Sequence, residues 1–355
     1  MILRPTVPLK RRAAEGDVVA CRPWNSPSPP RKILAIRLQA LGDTVITLPY
    51  LQTLRTLLPS TQIDFLTREA FEDIPHNMAM FRRVYAIGGG RSTALQLVSA
   101  LRLVPVLKDE GYDVVLDLQH NRVSRFVRAV LSPKSFSEFD RYSLASAGER
   151  TKRAIDALRL TSIGEGISPV RVKDERRGVE LLAIAGAEAS DDLIVLNPAG
   201  SFITRSWPIQ NYVRFALLWR ERVAPQARFL VLGTDGLMPK GKYLQERIVD
   251  GVINLAGKTT PSEAFNILKK VRLVLSEDSG LMHMAWVAGA PTLALFGSSL
   301  GIWSRPLGNA SVCFSSSDLE CGECLEPGCK WGDVRCLTRY SPEFVVEAAQ
   351  RLLDT

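Results

Sequence analysis

Between residues 271 and 297 the chain reads apolar run, polar turn, apolar helix, apolar run, and few folds accommodate that order. Val271-Arg-Leu-Val-Leu275 has the make-up of a buried strand. Ser276-Glu-Asp-Ser-Gly-Leu-Met-His283 interrupts it with polar residues and a glycine. Met284-Ala-Trp-Val-Ala-Gly289 reads as a helix that closes on a glycine, and Pro291-Thr-Leu-Ala-Leu-Phe-Gly297 as the next buried strand. Strand, helix and strand at this spacing form a parallel unit covered on both faces. Asp278, Ser279 and Gly280 then stand on a strand-to-helix turn at the carboxyl edge of the sheet, where ligands of open α/β sheets bind. A helix start offers unpaired N–H groups and the positive end of the helix dipole. Gly280 lacks the Cβ that would hold a phosphate away. Asp278 and Ser279 also suit plain capping of the helix.

The same alternation runs through the rest of the chain. Residues 31–37 read as a first buried strand, followed by Gly42-Asp43 and a helix over 44–58. Strands are expected over 61–66, 84–87 and 112–118, and helices over 94–108 and 122–131. Residues 135–150 read as irregular and polar, and 167–173 as an extended linker. The pattern then restarts, with a helix over 174–185 and strands over 193–197, 228–232 and 252–255. Pro208 opens a helix over 208–223, and Thr260 with Glu263 forms a capping box ahead of 264–271. A last helix over 345–353 is expected to pack back on the first domain. The domain reading is a disordered or extended leader over 1–30, a first Rossmann-like domain over 31–170 and a second over 174–340. The final helix lies in 341–355. At 355 residues two domains are the natural expectation, and neither half carries the glycine fingerprint of a dinucleotide site. Two such domains leave a cleft between them, the usual place for a ligand.

A net charge of +8 favours phosphates, nucleotides or anionic lipid heads as partners. Arg122, Arg125, Arg128, Arg150, Lys152 and Arg153 read as part of a solvated surface excess. No basic block is interleaved with aromatic residues, so nucleic acid is not an expected partner. No window approaches the roughly 20 apolar residues of a membrane span, and the N-terminal stretch lacks a signal-peptide core. The expected location is the cytoplasm.

Asn197-Pro-Ala-Gly-Ser-Phe-Ile-Thr-Arg-Ser-Trp-Pro208 adds a second candidate binding loop. Gly200 permits close backbone approach, Ser201 brings a hydroxyl, and Arg205 brings a guanidinium that matches phosphate oxygens. Trp207 reads as an anchor for the helix start.

With these residues in place, the chain resembles glycosyltransferase family 9, the ADP-heptose:lipopolysaccharide heptosyltransferases. Leu38-Gln-Ala-Leu-Gly-Asp-Thr-Val-Ile-Thr-Leu-Pro49 is similar to the family's N-terminal motif. The stretch from Gly200 to Pro208 resembles its phosphate loop, and Asp278-Ser-Gly-Leu-Met-His283 its Asp-(Ser/Thr)-Gly-Leu-x-His signature. The matches fall in order over residues 31–353.

The resemblance implies a GT-B fold, with acceptor on the first domain and nucleotide sugar on the second. It implies an inverting transfer that needs no catalytic metal. In it Asp43 is the general base, and Arg205, Ser279 and the backbone at Gly280 stabilise the leaving ADP. Arg205 stands where the family usually has lysine. Gly200 and Ser201 fall at its phosphate contact, Asp235 at its ribose contact, and Lys258 and Thr259 beside the base. Asp278 meets sugar hydroxyls or orients the turn; His283 supports the phosphate site or packs as a structural histidine. His76 and His120 match no motif.

Cys321, Cys324, Cys329 and Cys336 are spaced C-x2-C-x4-C-x6-C. Four clustered cysteines in a cytosolic chain suggest structural zinc, or failing that iron, with free thiols as the alternative. Many family members carry a similar tail.

The expected function is heptose transfer from ADP-heptose to a lipopolysaccharide inner-core acceptor, with peripheral contact to the inner face of the inner membrane. Another acceptor or donor sugar, a GT-B sugar-nucleotide epimerase and a non-catalytic basic binding module are the alternatives.

Overall fold

The computed structural model describes residues 18–354 except 165, 189 and 190. Among these residues the chain forms two six-stranded sheets, each with helices on both faces. The first half comprises β1 (Val18–Arg22), β2 (Lys32–Ile36), α1 (Leu41–Leu57), β3 (Gln62–Arg68), α2 (Asp73–Asn77), β4 (Phe81–Ile87), α3 (Thr93–Glu110), β5 (Val114–Asp117), α4 (Arg122–Leu131), β6 (Ser135–Phe139) and α5 (Ala147–Asp156). Its strands lie in the order β1-β6-β5-β2-β3-β4, all neighbours parallel except β1 against β6. The second half runs α6 (Arg176–Ile184), β7 (Leu193–Asn197), α7 (Ile209–Arg222), β8 (Arg228–Val231), α8 (Met238–Arg247), β9 (Val252–Asn254), α9 (Pro261–Leu268) and β10 (Leu273–Glu277). It continues with α10 (Gly280–Ala288), β11 (Thr292–Leu295), α11 (Gly301–Ser304), β12 (Ser311–Phe314), α12 (Arg335–Thr338) and α13 (Pro342–Leu353). Its order is β12-β11-β10-β7-β8-β9, parallel throughout. The α/β class and the doubly wound arrangement are those the alternating sequence demands.

Local chemistry explains most of these elements. β2, β5, β7 and β10 are almost wholly buried, as runs such as Leu193-Ile-Val-Leu require. Thr260 and Glu263 close the expected capping box on α9. Ser279 caps α10 through a bond from the Met282 N–H at 3.1 Å, and Gly289, at φ 88°, ends it.

Several stretches depart from expectation. Residues 135–150 contain β6 and the first turn of α5 rather than an irregular loop. The strand is polar because its buried carboxylate, Glu138, is met by Arg125 at 2.5 Å and Arg128 at 2.7 Å. Within the expected leader, Val18–Arg22 adds the antiparallel edge strand β1; the rest of that expectation, residues 1–17, lies outside the described residues. The helix α8 occupies a stretch to which the sequence pattern assigned nothing. The last helix, α13, finds its main partner in α7 of its own half, because Val345, Val346, Ala349 and Leu352 complete the core around Trp207 and Trp219.

The two halves meet along α1 and α10. Val45, Leu48 and Leu51 of α1 share one buried cluster with Leu281, Met282 and Ala285 of α10. A second contact joins α2 to α9, where Asp73 accepts from the Ser262 N–H at 2.6 Å. The carboxyl edges of both sheets therefore face a common seam.

Candidate active site

At the seam, the first turns of α1 and α10 come within van der Waals contact. A Cβ built on Gly42 would lie 2.8 Å from Cδ2 of His283, and one built on Gly280 would lie 3.6 Å from Leu41. Glycine at position 42 is what lets the two helix starts approach. Each brings N–H groups and positive dipole to the same place.

Asp43 sits on the first turn of α1 with its side chain 39% exposed. Its carboxylate accepts from the Ala40 N–H at 3.1 Å and pairs with Arg37 at 2.9 Å. Burial pushes its pKa up, but the Arg37 charge, the Ala40 and Arg37 hydrogen bonds and His283 outweigh that and hold it below the ordinary value. Arg37 is itself buried, tethered to the Leu118 carbonyl and stacked 4.9 Å from the Phe139 ring. The Arg150 guanidinium of α5 lies 5.4 Å from the centre of the same ring. Burial, then the charge of Arg37, brings the Arg150 pKa down to about 10. Asp43 thus stands as an ionised acid beside two cations.

His283 is 6% exposed and lies across the seam. Burial lowers its pKa against the pull of Asp278 and Asp43, which keeps it neutral. Trp286 Nε1 donates to its Nδ1 at 3.3 Å, so the ring proton resides on Nε2.

On the second half, Arg205 pairs with Asp278 at 3.7 Å and lies 5.8 Å over the Phe202 ring. Its Nε is buried without a partner among the described residues. Asp278 accepts from Ser299 Oγ at 2.6 Å. Ser279 is pinned by Asn197 Nδ2 at 2.7 Å, so the α10 cap is fixed from the neighbouring strand. Gly200 fits because the loop folds back on itself: a Cβ there would lie 2.2 Å from the Arg205 carbonyl. Ser201 is exposed on the same loop.

Asp43, Gly200, Arg205, Asp278, Ser279, Gly280 and His283 therefore gather along one seam. Asp235, Lys258 and Thr259 sit further along the same carboxyl edge, after β8 and β9. Asp235 is exposed and accepts from the Gly236 N–H at 2.9 Å. Its turn rests on the 257–259 loop, since the Gly257 N–H donates to the Gly233 carbonyl at 2.8 Å.

Three residues near this site escaped the sequence reading. Arg37 closes the first buried run, and a charge at the end of such a run, six residues before an acid, was the available signal. Arg150 was grouped with surface charge. Glu277 lies inside the motif itself, fully buried, accepting from the Trp207 N–H at 2.6 Å and from the Gly200 N–H.

The expected cysteine metal site is not supported. Among the described residues no three His, Cys, Asp or Glu side chains are arranged to hold a metal, and all six cysteines are free. A zinc centre needs four ligands within about 2.3 Å of one point. Here Cys324 is exposed, Cys329 contacts Asp333 at 3.8 Å, Cys336 contacts the Val334 carbonyl at 3.7 Å, and Cys321 is half-buried. Other bonds order the segment: Arg339 grips Asp318 at 2.6 and 2.7 Å, and Glu323 accepts from the Gly301 N–H at 2.9 Å. Thr204 Oγ1, beside Arg205, donates to the Glu326 carbonyl at 2.6 Å, so this segment buttresses the loop that carries Arg205.

The arrangement pairs an ionised acid on one half with a cation and a helix N-terminus on the other, which suits proton removal from one reactant and charge stabilisation on a second. The chain is similar in sequence and fold to known proteins. Residues 167–334 match the family model described as "Glycosyltransferase family 9 (heptosyltransferase)". The lipopolysaccharide heptosyltransferase 1 of Pseudomonas aeruginosa is 26% identical, over 91% of this chain and 98% of the relative. A solved family 9 glycosyl transferase from Veillonella parvula superposes with a TM-score of 0.77 at 18% identity, over 91% of this chain and 97% of that one. The ADP-heptose lps heptosyltransferase II of E. coli superposes with a TM-score of 0.70 at 18% identity, over 91% and 98%. The folds of these structures are those of the present chain.

Proposed function

Because the chain belongs to glycosyltransferase family 9 and is a glycosyltransferase, we propose that it transfers heptose from ADP-heptose to a lipopolysaccharide inner-core acceptor in an inverting, metal-independent reaction. The observation that carries this reading is the seam: Asp43 of α1 and Arg205 beside α10 flank the point where Gly42 meets His283. The acceptor hydroxyl loses its proton to Asp43 as its oxygen attacks the anomeric carbon from the face opposite the diphosphate. The sugar–phosphate bond breaks, and the leaving ADP carries the electron pair. Arg205, Ser279 and the N–H groups opening α10 stabilise that charge. His283, neutral with its proton on Nε2, is a further donor at the same place. Gly200 and Ser201 line the diphosphate, Asp235 takes the ribose hydroxyls, and Lys258 and Thr259 border the adenine. Asp278 orients Arg205 and the turn.

The proposed location is the cytoplasm, with peripheral contact to the inner face of the inner membrane. No helix among the described residues is long and apolar enough to cross a membrane. Peripheral contact is supported by α3, where Leu95, Val98, Leu101 and Val106 are 58%, 47%, 55% and 45% exposed. Exposed Arg91 and Arg102, with Arg122 and Arg125 on the adjoining α4, add the positive charge that anionic lipid attracts.

Thermal unfolding with ADP, UDP and NAD tests the donor assignment. ADP is expected to raise the midpoint and the other two to leave it unchanged; a shift with UDP alone, or with none, overturns it.

A further inference from the structure

Glu277 is a carboxylate with no part in the mechanism above, and it is fully buried at the carboxyl end of β10. One oxygen accepts from the Trp207 N–H at 2.6 Å and the other from the Gly200 N–H. These two amides are the ends of the loop that carries Ser201 and Arg205. A buried ion is costly unless it is hydrogen-bonded, and here each carboxylate oxygen accepts from an N–H of one loop. The titratable groups facing Glu277 are Lys240 of α8 and Tyr212 of α7. Lys240 donates to the Pro198 carbonyl at 2.6 Å, at the root of the same loop. Asn197, by contrast, is occupied with Ser276 and Ser279.

We propose that ionised Glu277 is a positioning residue for the nucleotide diphosphate: it clamps both ends of the 200–207 loop and thereby aims Arg205. The inference rests on the reading that this loop takes the diphosphate. Burial, against the Gly200 N–H, Lys240 and the Trp207 N–H, raises the Glu277 pKa to about 7. The proton that adds as pH falls through that value occupies one oxygen and removes one acceptor from the clamp. Below about 7 the wild-type side chain therefore resembles glutamine, which also offers a single oxygen.

The test is calorimetric titration of ADP into wild type, Glu277→Gln and Arg205→Ala between pH 6 and 8. ADP's own phosphate titration is common to all three proteins and cancels in the ratio of affinities. Glu277→Gln is expected to weaken ADP about tenfold at pH 8, the loss of one charged hydrogen bond, and hardly at all at pH 6. Turnover at saturating donor should change less than the donor KM, and the acceptor KM should not change. Equal ADP affinity of wild type and Glu277→Gln at pH 8 overturns the clamp. If Arg205→Ala weakens ADP in that case, only the clamp has failed; if neither variant does, the diphosphate reading has failed with it. Should Glu277→Gln not fold, amide exchange of the wild type decides. Gly200 and Trp207 are expected to lose protection, relative to β10, as pH drops through 7, and a constant ratio rejects the proposal.

Discussion

The starts of α1 and α10 touch, yet they are built in opposite ways. At α10, Ser279 caps the helix while Asn197 holds Ser279, Ser299 holds Asp278, and Glu277 holds the loop that carries Arg205. At α1, Ala40 offers no side-chain cap, and Asp43 rests on Arg37 and one backbone N–H, with 39% of its side chain exposed. A site that must hold a charged donor gains from groups fixed in advance, because ordering them then costs nothing on binding. A base must instead keep an accessible lone pair and give up part of its pairing when it takes a proton. On the proposed reading, the difference between the two starts is the difference between binding and reacting.

The sharpest way to break this contrast is to disable the lightly held side. Asp43→Asn should lower turnover by about 10²–10⁴-fold while ADP affinity stays within about twofold of wild type. Steady-state transfer assays with parallel calorimetry check this, and undiminished transfer removes the base role. The next largest effect belongs to the braced side. Arg205→Ala should weaken ADP by about 10- to 100-fold, the range for losing charge-assisted contacts, and weaken the acceptor little. Equal weakening of both ligands argues against diphosphate contact.

A smaller effect sharpens the comparison through pH. Arg37 holds the Asp43 pKa down against burial, so Arg37→Met should let burial raise it. The base is then protonated at a higher pH, and the acidic limb of the rate profile moves upward. The loss of rate should be about three- to tenfold at pH 6 and smaller at pH 8; an unmoved limb excludes this role for Arg37. The smallest effect concerns neither helix start. Leu95→Ser with Leu101→Ser on α3 should reduce binding to anionic vesicles several-fold, about 1 kcal/mol, and leave transfer to a soluble acceptor unchanged. Vesicle sedimentation that shows no difference removes α3 from the membrane contact.

The cysteine segment and the α10 turn show why one motif was legible in the sequence and the other was not. Ser279 and Gly280 act through their own backbone and the next helical turn, so local sequence suffices to place them. Four cysteines can bind a metal only if the chain folds them to one point, and spacing does not say whether it does. Ion pairs and loop contacts order that segment. β6 failed for a related reason: its polar residues signal a loop until Arg125 and Arg128 arrive from α4 to neutralise Glu138.

The sequence alone determined the alternating α/β course, the strand-to-helix turns, their caps and closing glycines, and the residues that resemble a sugar-nucleotide site. Each follows from side chains within a few positions of one another, where propensity and periodicity act. Only the tertiary structure decided that Gly42 lets α1 approach His283, 241 positions on, that Arg37 answers the burial of Asp43, and that Glu277 secures Gly200 and Trp207. Those contacts join groups that meet through the packing of two sheets, and burial converts them from optional surface charges into obligatory partners, because a buried ion without a partner is too costly to keep.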